Sequence, residues 1–400
     1  MSRFEALKAR ENQAVCNTYS RYPLAVSRAS GCRLYDLDGR EYVDLLAGIA
    51  VANLGHCRPE LAQIMVEQAL KLVHVSNFFY QEEQIALAEM LKATCHADKV
   101  FFCNSGSEAN EAAIKLARRY MQIVRGRQAY EIITLENSFH GRTLAMVAAT
   151  GQAKIKEGFA PLPKGFVTVP WDNLDAMAAA INPRTAGILV EMVQGEGGVR
   201  PMTSEYAHGL AALCKERDVL LVVDEIQTGL GRCGRFWAFQ HYDIKPDIFT
   251  TAKGLANGLP IGAMLATDEA ARGFTPGSHA TTFGGGSLLA VIAAKTVELL
   301  MTDDLPSRAA ELGRWAQVRF ARIQAAFPDK VVQIRGLGLL LGIELAYPGH
   351  TICSALLKHG FICNLTQERV LRLLPPLTIP KTDLEAFAAT LEFLLAITSS

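Results

Sequence analysis

The chain has 400 residues, half of them hydrophobic, which allows a large core and two or three domains. Its 40 Lys and Arg balance 40 Asp and Glu, and no basic run interrupts it, which argues against a nucleic-acid platform. No apolar stretch approaches the ~20 residues of a bilayer span, so no membrane partner is expected.

In chain order, the opening Met1-Ser2-Arg3-Phe4-Glu5-Ala6-Leu7-Lys8 is charged and lacks the apolar centre of a secretory signal, which predicts a cytoplasmic protein. Nine dispersed cysteines without a Cys-x-x-Cys pair fit reduced thiols in that compartment. Neither they nor His56, His74 and His96 have metal-ligand spacing, so no metal is expected. Residues 32–44 read as a hairpin turning at Asp38-Gly39. Beyond it, short apolar runs alternate with longer amphipathic stretches, the pattern of an α/β protein with a mainly parallel sheet. The candidate strands are Lys99–Cys103, Glu131–Leu135, Gly187–Val190, Val219–Val223, Ile248–Thr250 and Gly262–Leu265. After about residue 290, two long helical stretches flank a strand-rich segment, Val331–Leu345. The expected division is a large domain over 56–290 and a smaller α+β domain built from residues 1–55 and 291–400.

Three places carry chemistry. Phe101–Cys103 leads into Asn104-Ser105-Gly106-Ser107-Glu108, a strand, a glycine turn and a helix start. Free N–H groups and the positive end of the helix dipole suit a phosphate there, although Ser105 and Glu108 would also make a plain capping box. Ser138-Phe139-His140-Gly141-Arg142-Thr143 puts an aromatic beside a glycine turn, where it could stack on a flat ring or simply fill the core. The apolar run Val219–Val223 ends in Asp224, and Lys253 follows roughly thirty residues later in Ala252-Lys253-Gly254. Alone, the lysine would be a surface residue and the aspartate a helix cap. Together they are what pyridoxal phosphate requires: a lysine for the Schiff base and a carboxylate for the pyridine nitrogen. No Gly-x-Gly-x-x-Gly follows a strand with an acid ~20 residues on, which disfavours a nicotinamide enzyme.

These segments, with Tyr35–Gly55, Glu191–Val199, Thr282–Gly285 and Val370–Leu377, stand in one order along nearly the whole chain. In that order they resemble the class III aminotransferases of the pyridoxal-phosphate fold type I group, nearest to the acetylornithine/ornithine aminotransferases. The resemblance implies Lys253 and Asp224 as the catalytic pair. It implies a cofactor pocket that also includes Ser105, Gly106, Ser107, Phe139, His140, Glu191, Ile226 and Gln227. Gln227 would bond the phenolic oxygen, Ile226 and Phe139 would cover the two ring faces, and Thr282 of a second subunit would help hold the phosphate. A site completed in trans implies a homodimer with shared active sites.

For the substrate, the resemblance implies Arg372 for the α-carboxylate of glutamate and Arg142 for its distal carboxylate, or for the α-carboxylate of a substrate reacting at its far amine. Glu196 would cover Arg372 when no carboxylate is there, and Tyr19 would lie near the distal end. The implied reaction moves the δ-amino group of N-acetyl-L-ornithine to 2-oxoglutarate, in arginine biosynthesis. Other ω-aminotransferases, acting on ornithine, N-succinyl-diaminopimelate or 4-aminobutyrate, stay open, and so, less favoured, does a mutase or racemase. The chain departs from the family's usual pattern at Ser107, Met192, Gly286, Ser287 and the run Leu365-Thr366-Gln367.

Overall fold

The computed structural model describes residues 2–397. Met1, at the head of the charged opening segment, and residues 398–400, the end of the C-terminal segment, lie outside the described residues. The N-terminal hairpin is present: strands β1 (Val26–Ser30), β2 (Arg33–Asp36) and β3 (Glu41–Asp44) pair antiparallel in sequence, with the Asp38-Gly39 turn between the last two.

A seven-stranded sheet forms the centre. It consists of β4 (Lys99–Cys103), β5 (Glu131–Leu135), β6 (Phe166–Val169), β7 (Thr185–Val190), β10 (Leu220–Asp224), β11 (Ile248–Thr251) and β12 (Gly262–Ala266), in the spatial order β4-β12-β11-β10-β7-β5-β6. A small ribbon of β8 (Val193–Gln194) and β9 (Arg200–Pro201) follows β7. All six expected strands are found. Edge strand β6 was not expected, because four residues behind a glycine give too short a signal. The sheet is parallel except at β12, which runs antiparallel to both neighbours. The middle strands β5, β7 and β10 are buried along their whole length, as strands covered by helices on both faces must be. Two apolar clusters occupy the two sides of the sheet; Leu221 and Val223 point into one, Leu220 and Val222 into the other.

The chain ends build two further sheets. Strand β13 (Val331–Leu337), β14 (Leu340–Leu345), β16 (Asn364–Thr366) and β17 (Val370–Leu373) pair antiparallel in the order β13-β14-β17-β16. The short β15 (Phe361–Ile362) instead pairs parallel with β3, joining the two ends of the chain in one sheet. Helices Leu305–Ala326 and Lys381–Ile397 pack together, with Phe320 edge-on to Phe387 at 5.9 Å. Among the described residues no helix is long and apolar enough to cross a membrane.

Candidate active site

The parallel strands aim their carboxyl ends at one place, where open α/β sheets put ligands. Ser105–Ser107 follow β4, Phe139 and His140 follow β5, Glu191 follows β7, Asp224 ends β10 and Lys253 follows β11. They line a cavity of about 380 Å³, together with Glu196, Ile226 and Gln227. Of the fifteen residues expected at the site, these eleven meet in this one cavity.

Asp224 is nearly inaccessible and heavily bonded. One oxygen, Oδ2, accepts from Asn110 Nδ2 at 2.8 Å and pairs with His140 Nδ1 at 2.9 Å, while Oδ1 accepts from the Ile226 N–H at 3.0 Å. Since a carboxylate only accepts, the His140 proton sits on Nδ1; the other ring nitrogen is buried without a partner among the described residues. Asn110 also donates to the His140 carbonyl at 2.8 Å and accepts from Thr250 Oγ1 at 2.7 Å. Asn110 and Thr250 were missed by the sequence reading. The available signal was an amide on the alanine face of the helix Gly106–Arg119, where Ala109, Ala112 and Ala113 are all fully buried.

Lys253 adopts a left-handed backbone, φ 46°, at the head of a short 3-10 turn. Such a conformation in a non-glycine residue stores strain of order 1 kcal/mol and clusters at functional positions. Its amine faces the cavity with no hydrogen bond or ion pair among the described residues. Burial pulls its pKa below the ordinary lysine value; the charge of Glu196 opposes the shift and that of Arg372 adds to it. The amine is thereby brought nearer to the neutral form that a nucleophile needs.

The helix Gly106–Arg119 starts at the cavity wall. Ser105 caps it, its Oγ accepting from the Glu108 N–H at 3.3 Å. The N–H groups of Gly106 and Ser107 have no intrahelical acceptor and form an anion cradle. Ile226 closes over the turn: a Cβ on residue 106 would lie 2.8 Å from the end of its side chain, which would have to shift away from the cavity wall. A lysine amine unpartnered among the described residues, a bonded buried carboxylate, a helix start with free N–H groups and the nearby Phe139 and Ile226 fit pyridoxal phosphate.

Arg372 is wholly buried on β17. Its Nη1 pairs with Glu196 Oε1 at 2.6 Å and donates to Gln227 Oε1 at 3.2 Å; its Nε donates to Asn364 Oδ1 at 3.0 Å. Burial pushes Glu196 up, but the Arg372 charge and hydrogen bond outweigh it and hold the carboxyl below its usual range. Glu191 moves the other way: desolvation, then the charge of Asp224, raises it well above, although the Phe139 N–H donates to it at 3.1 Å.

Arg372 stands behind the cavity wall, and the other three expected residues also lie outside the cavity. Arg142 is exposed, its guanidinium 5.7 Å from the centre of the Phe139 ring. Tyr19 is 68% exposed and lines a groove along the N-terminal helix. Thr282 is exposed in a separate hollow beside Phe78. Among the described residues no cluster of His, Cys, Asp and Glu could hold a metal.

Residues 14–395 match the family model of the class III aminotransferases. A curated relative, the acetylornithine aminotransferase of Methanocaldococcus jannaschii, is 42% identical over 377 residues, covering 94% of each chain. Acetylornithine aminotransferase 1 of Bordetella bronchiseptica is 45% identical over 370 residues, 92% of this chain and 94% of its own. The crystal structure of the ornithine aminotransferase of Toxoplasma gondii superposes with a TM-score of 0.95 at 30% identity, covering 99% of this chain and 96% of that one.

Proposed function

The chain belongs to the class III aminotransferases, and on that premise we propose that it moves the δ-amino group of N-acetyl-L-ornithine to 2-oxoglutarate, giving N-acetyl-L-glutamate 5-semialdehyde and L-glutamate. The observation that carries this reading is the Arg372–Glu196 pair at 2.6 Å beside the unpartnered Lys253. A buried arginine needs an anion, and here the anion is a side chain that can leave. The pocket can therefore admit a substrate with a carboxylate at that point or one without.

When bound, pyridoxal phosphate supplies an electron sink for the substrate carbon next to the amine. Lys253 would hold it, the Gly106 and Ser107 N–H groups would take its phosphate, and Phe139 and Ile226 would flank its ring. Asp224, fixed by Asn110, His140 and the Ile226 N–H, would face the ring nitrogen. Gln227 spends its carbonyl oxygen on Arg372, and its NH₂, which also bonds Glu196, has a second N–H that would donate to the phenolic oxygen. The Lys253 amine, brought nearer to its neutral form, would be placed to take the proton from the substrate carbon next to the amine.

For acetylornithine, Arg142 at the rim would take the α-carboxylate while Glu196 keeps Arg372 covered. For 2-oxoglutarate, the α-carboxylate would take Arg372, Glu196 would turn aside and Arg142 would hold the distal carboxylate. The fork of a guanidinium suits both. Tyr19 would border the distal end. The alternation makes the cycle ping-pong.

The same proposal makes the enzyme a homodimer, Thr282 reaching the phosphate of the second subunit. In support, Phe78 (93% exposed) shares a surface hollow with Thr282, and the chain neighbour of Thr282, Phe283, is 61% exposed. The division into residues 1–55 with 291–400 and 56–290, and a cytoplasmic place in arginine biosynthesis, complete the reading.

Visible absorbance tests it. The cofactor band should bleach with N-acetyl-L-ornithine and return with 2-oxoglutarate. A band indifferent to acetylornithine but bleached by ornithine, N-succinyl-diaminopimelate or 4-aminobutyrate would overturn the substrate assignment, and no band after adding pyridoxal phosphate would overturn the role of Lys253.

A further inference from the structure

The hairpin β16–β17 carries more than Arg372. Asn364 on β16 sits opposite Arg372 in the ladder and braces its Nε. The two strands are joined by Gln367-Glu368-Arg369, a tight turn in which Gln367 (φ 49°) and Glu368 (φ 61°) are both left-handed. Two such residues in succession persist only where the surroundings hold them. Here Gly349 N–H donates to the Glu368 carbonyl at 2.8 Å, and Leu345 N–H to that of Arg369 at 2.9 Å. The turn delivers the Gln367 amide to the backbone carbonyl of Glu196, Nε2 to O, at 3.0 Å.

Glu196 lies in the loop 194–199, which is gripped on either side of it. From the C-terminal sheet, Arg335 Nε donates to the carbonyls of Gly198 at 2.8 Å and Val199 at 3.0 Å. Arg335 is in turn paired with Glu344 and donates to Gln333 Oε1 at 2.7 Å. On the other side, Gln194 Nε2 donates to the carbonyl of Glu136, just after β5 of the central sheet, at 2.8 Å. A Cβ on Gly197 would lie 2.7 Å from Gln194 Oε1 and 2.8 Å from the Asn137 carbonyl, so the loop rests directly on its floor. Gln367 is the one of these groups that ties Glu196 itself to the hairpin holding its partner.

We propose that Gln367 is a specificity-determining positioning residue, which sets the balance between the two substrates by fixing the Glu196 backbone relative to Arg372. The inference rests on the alternation of Glu196 described above. With both backbones on one rigid unit, the carboxylate leaves Arg372 by side-chain rotation alone and returns to the same place. Arg372 is held independently by Asn364 and Gln227, so losing the Gln367 bond misaligns the glutamate and spares the arginine. The consequence is asymmetric. A donor that needs Arg372 covered binds less well, and 2-oxoglutarate, which must displace Glu196, binds as well or better.

The test compares Gln367→Met, which keeps the shape and loses the donor, with Gln367→Lys, which keeps a donor, in the holoenzyme. Gln367 is exposed, so neither change disturbs the core. The ratio of KM for acetylornithine to KM for 2-oxoglutarate should rise roughly 2- to 10-fold in Gln367→Met, the size of one neutral hydrogen bond. kcat should change little, and Gln367→Lys should restore the ratio. Calorimetry should show an unchanged or lower Kd for 2-oxoglutarate. Glu196→Gln is the reference. If it shifts the ratio and Gln367→Met does not, the anchor is wrong and the alternation stands. If neither shifts it, the alternation itself fails. An equal rise in both KM values with a lower melting temperature would make the turn merely structural and overturn the proposal.

Discussion

Arg372 Nη1 lies 2.6 Å from Glu196 Oε1, across 176 residues of sequence, with the arginine fully buried and the glutamate open to the cavity. The arginine is the enclosed partner and the glutamate the accessible one. The arginine is held by Asn364 and Gln227, and in the proposed function the glutamate is the partner that gives way to a substrate carboxylate.

Replacing the fixed partner should therefore damage one half-reaction more than the other. Arg372→Lys keeps the charge but loses the planar fork. kcat/KM for 2-oxoglutarate should fall about 10- to 100-fold, the size of a charged hydrogen bond. The half-reaction with acetylornithine should fall by less. Separate half-reaction kinetics, followed by the cofactor absorbance, check this; equal losses would count against the assignment of Arg372.

Lys253→Ala should abolish turnover, with a loss above about 10³-fold expected for a covalent residue. The cofactor band should shift because no side-chain amine remains to hold the ring. Stability should not fall, since the buried amine has no partner to lose among the described residues and alanine keeps the same left-handed backbone. Thermal unfolding alongside the spectrum separates these effects.

Asn110→Ala would leave Asp224 Oδ2 with one donor and strand the His140 carbonyl and Thr250 hydroxyl in the core. Unsatisfied buried groups cost about 1–3 kcal/mol each. A loss of about 2–3 kcal/mol in denaturant unfolding is expected, together with weaker cofactor retention. Unchanged stability would mean that water replaces the amide.

Glu225 gives a pH prediction. It is fully buried beside Asp224, and desolvation raises its pKa from 4.5 to about 7, although Thr228 Oγ1 at 2.5 Å and the Phe239 N–H at 2.8 Å both donate to it. The folded state then holds this proton more tightly than the unfolded chain, so its contribution to stability falls as pH rises from about 4.5 to 7. Glu225→Gln keeps the Phe239 bond, and the Thr228 hydroxyl can turn to accept from the new amide. The variant should lose this slope and gain up to about 3 kcal/mol relative to wild type at neutral pH. Unfolding free energies of both proteins across that range check the sign.

Lys253 and Asp224 were legible because each sits at a junction with a strong local signal. An all-apolar run names a buried strand, and a carboxylate at its end must face a strand terminus, where open sheets keep their ligands. Ser105, Gly106 and Phe139 were legible for the same reason. Asn110 and Thr250 were not, because a polar side chain within a buried element has no local mark that says which group it bonds. Arg142, Tyr19 and Thr282 entered only through the family resemblance, and within this chain the fold leaves all three outside the cavity.

By itself, then, the sequence determined the elements and the chemistry at their ends: apolar periodicity, caps and glycine turns act over a few residues and are written where they act. The tertiary structure decided the reversed β12, the joining of the chain ends through β15 and β3, the His140–Asp224 contact 84 residues apart and the Arg372–Glu196 pair. Each of these depends on which surfaces pack together across the whole chain. A buried charge and its counter-charge are chosen by that packing, and no window of sequence around either one contains the other.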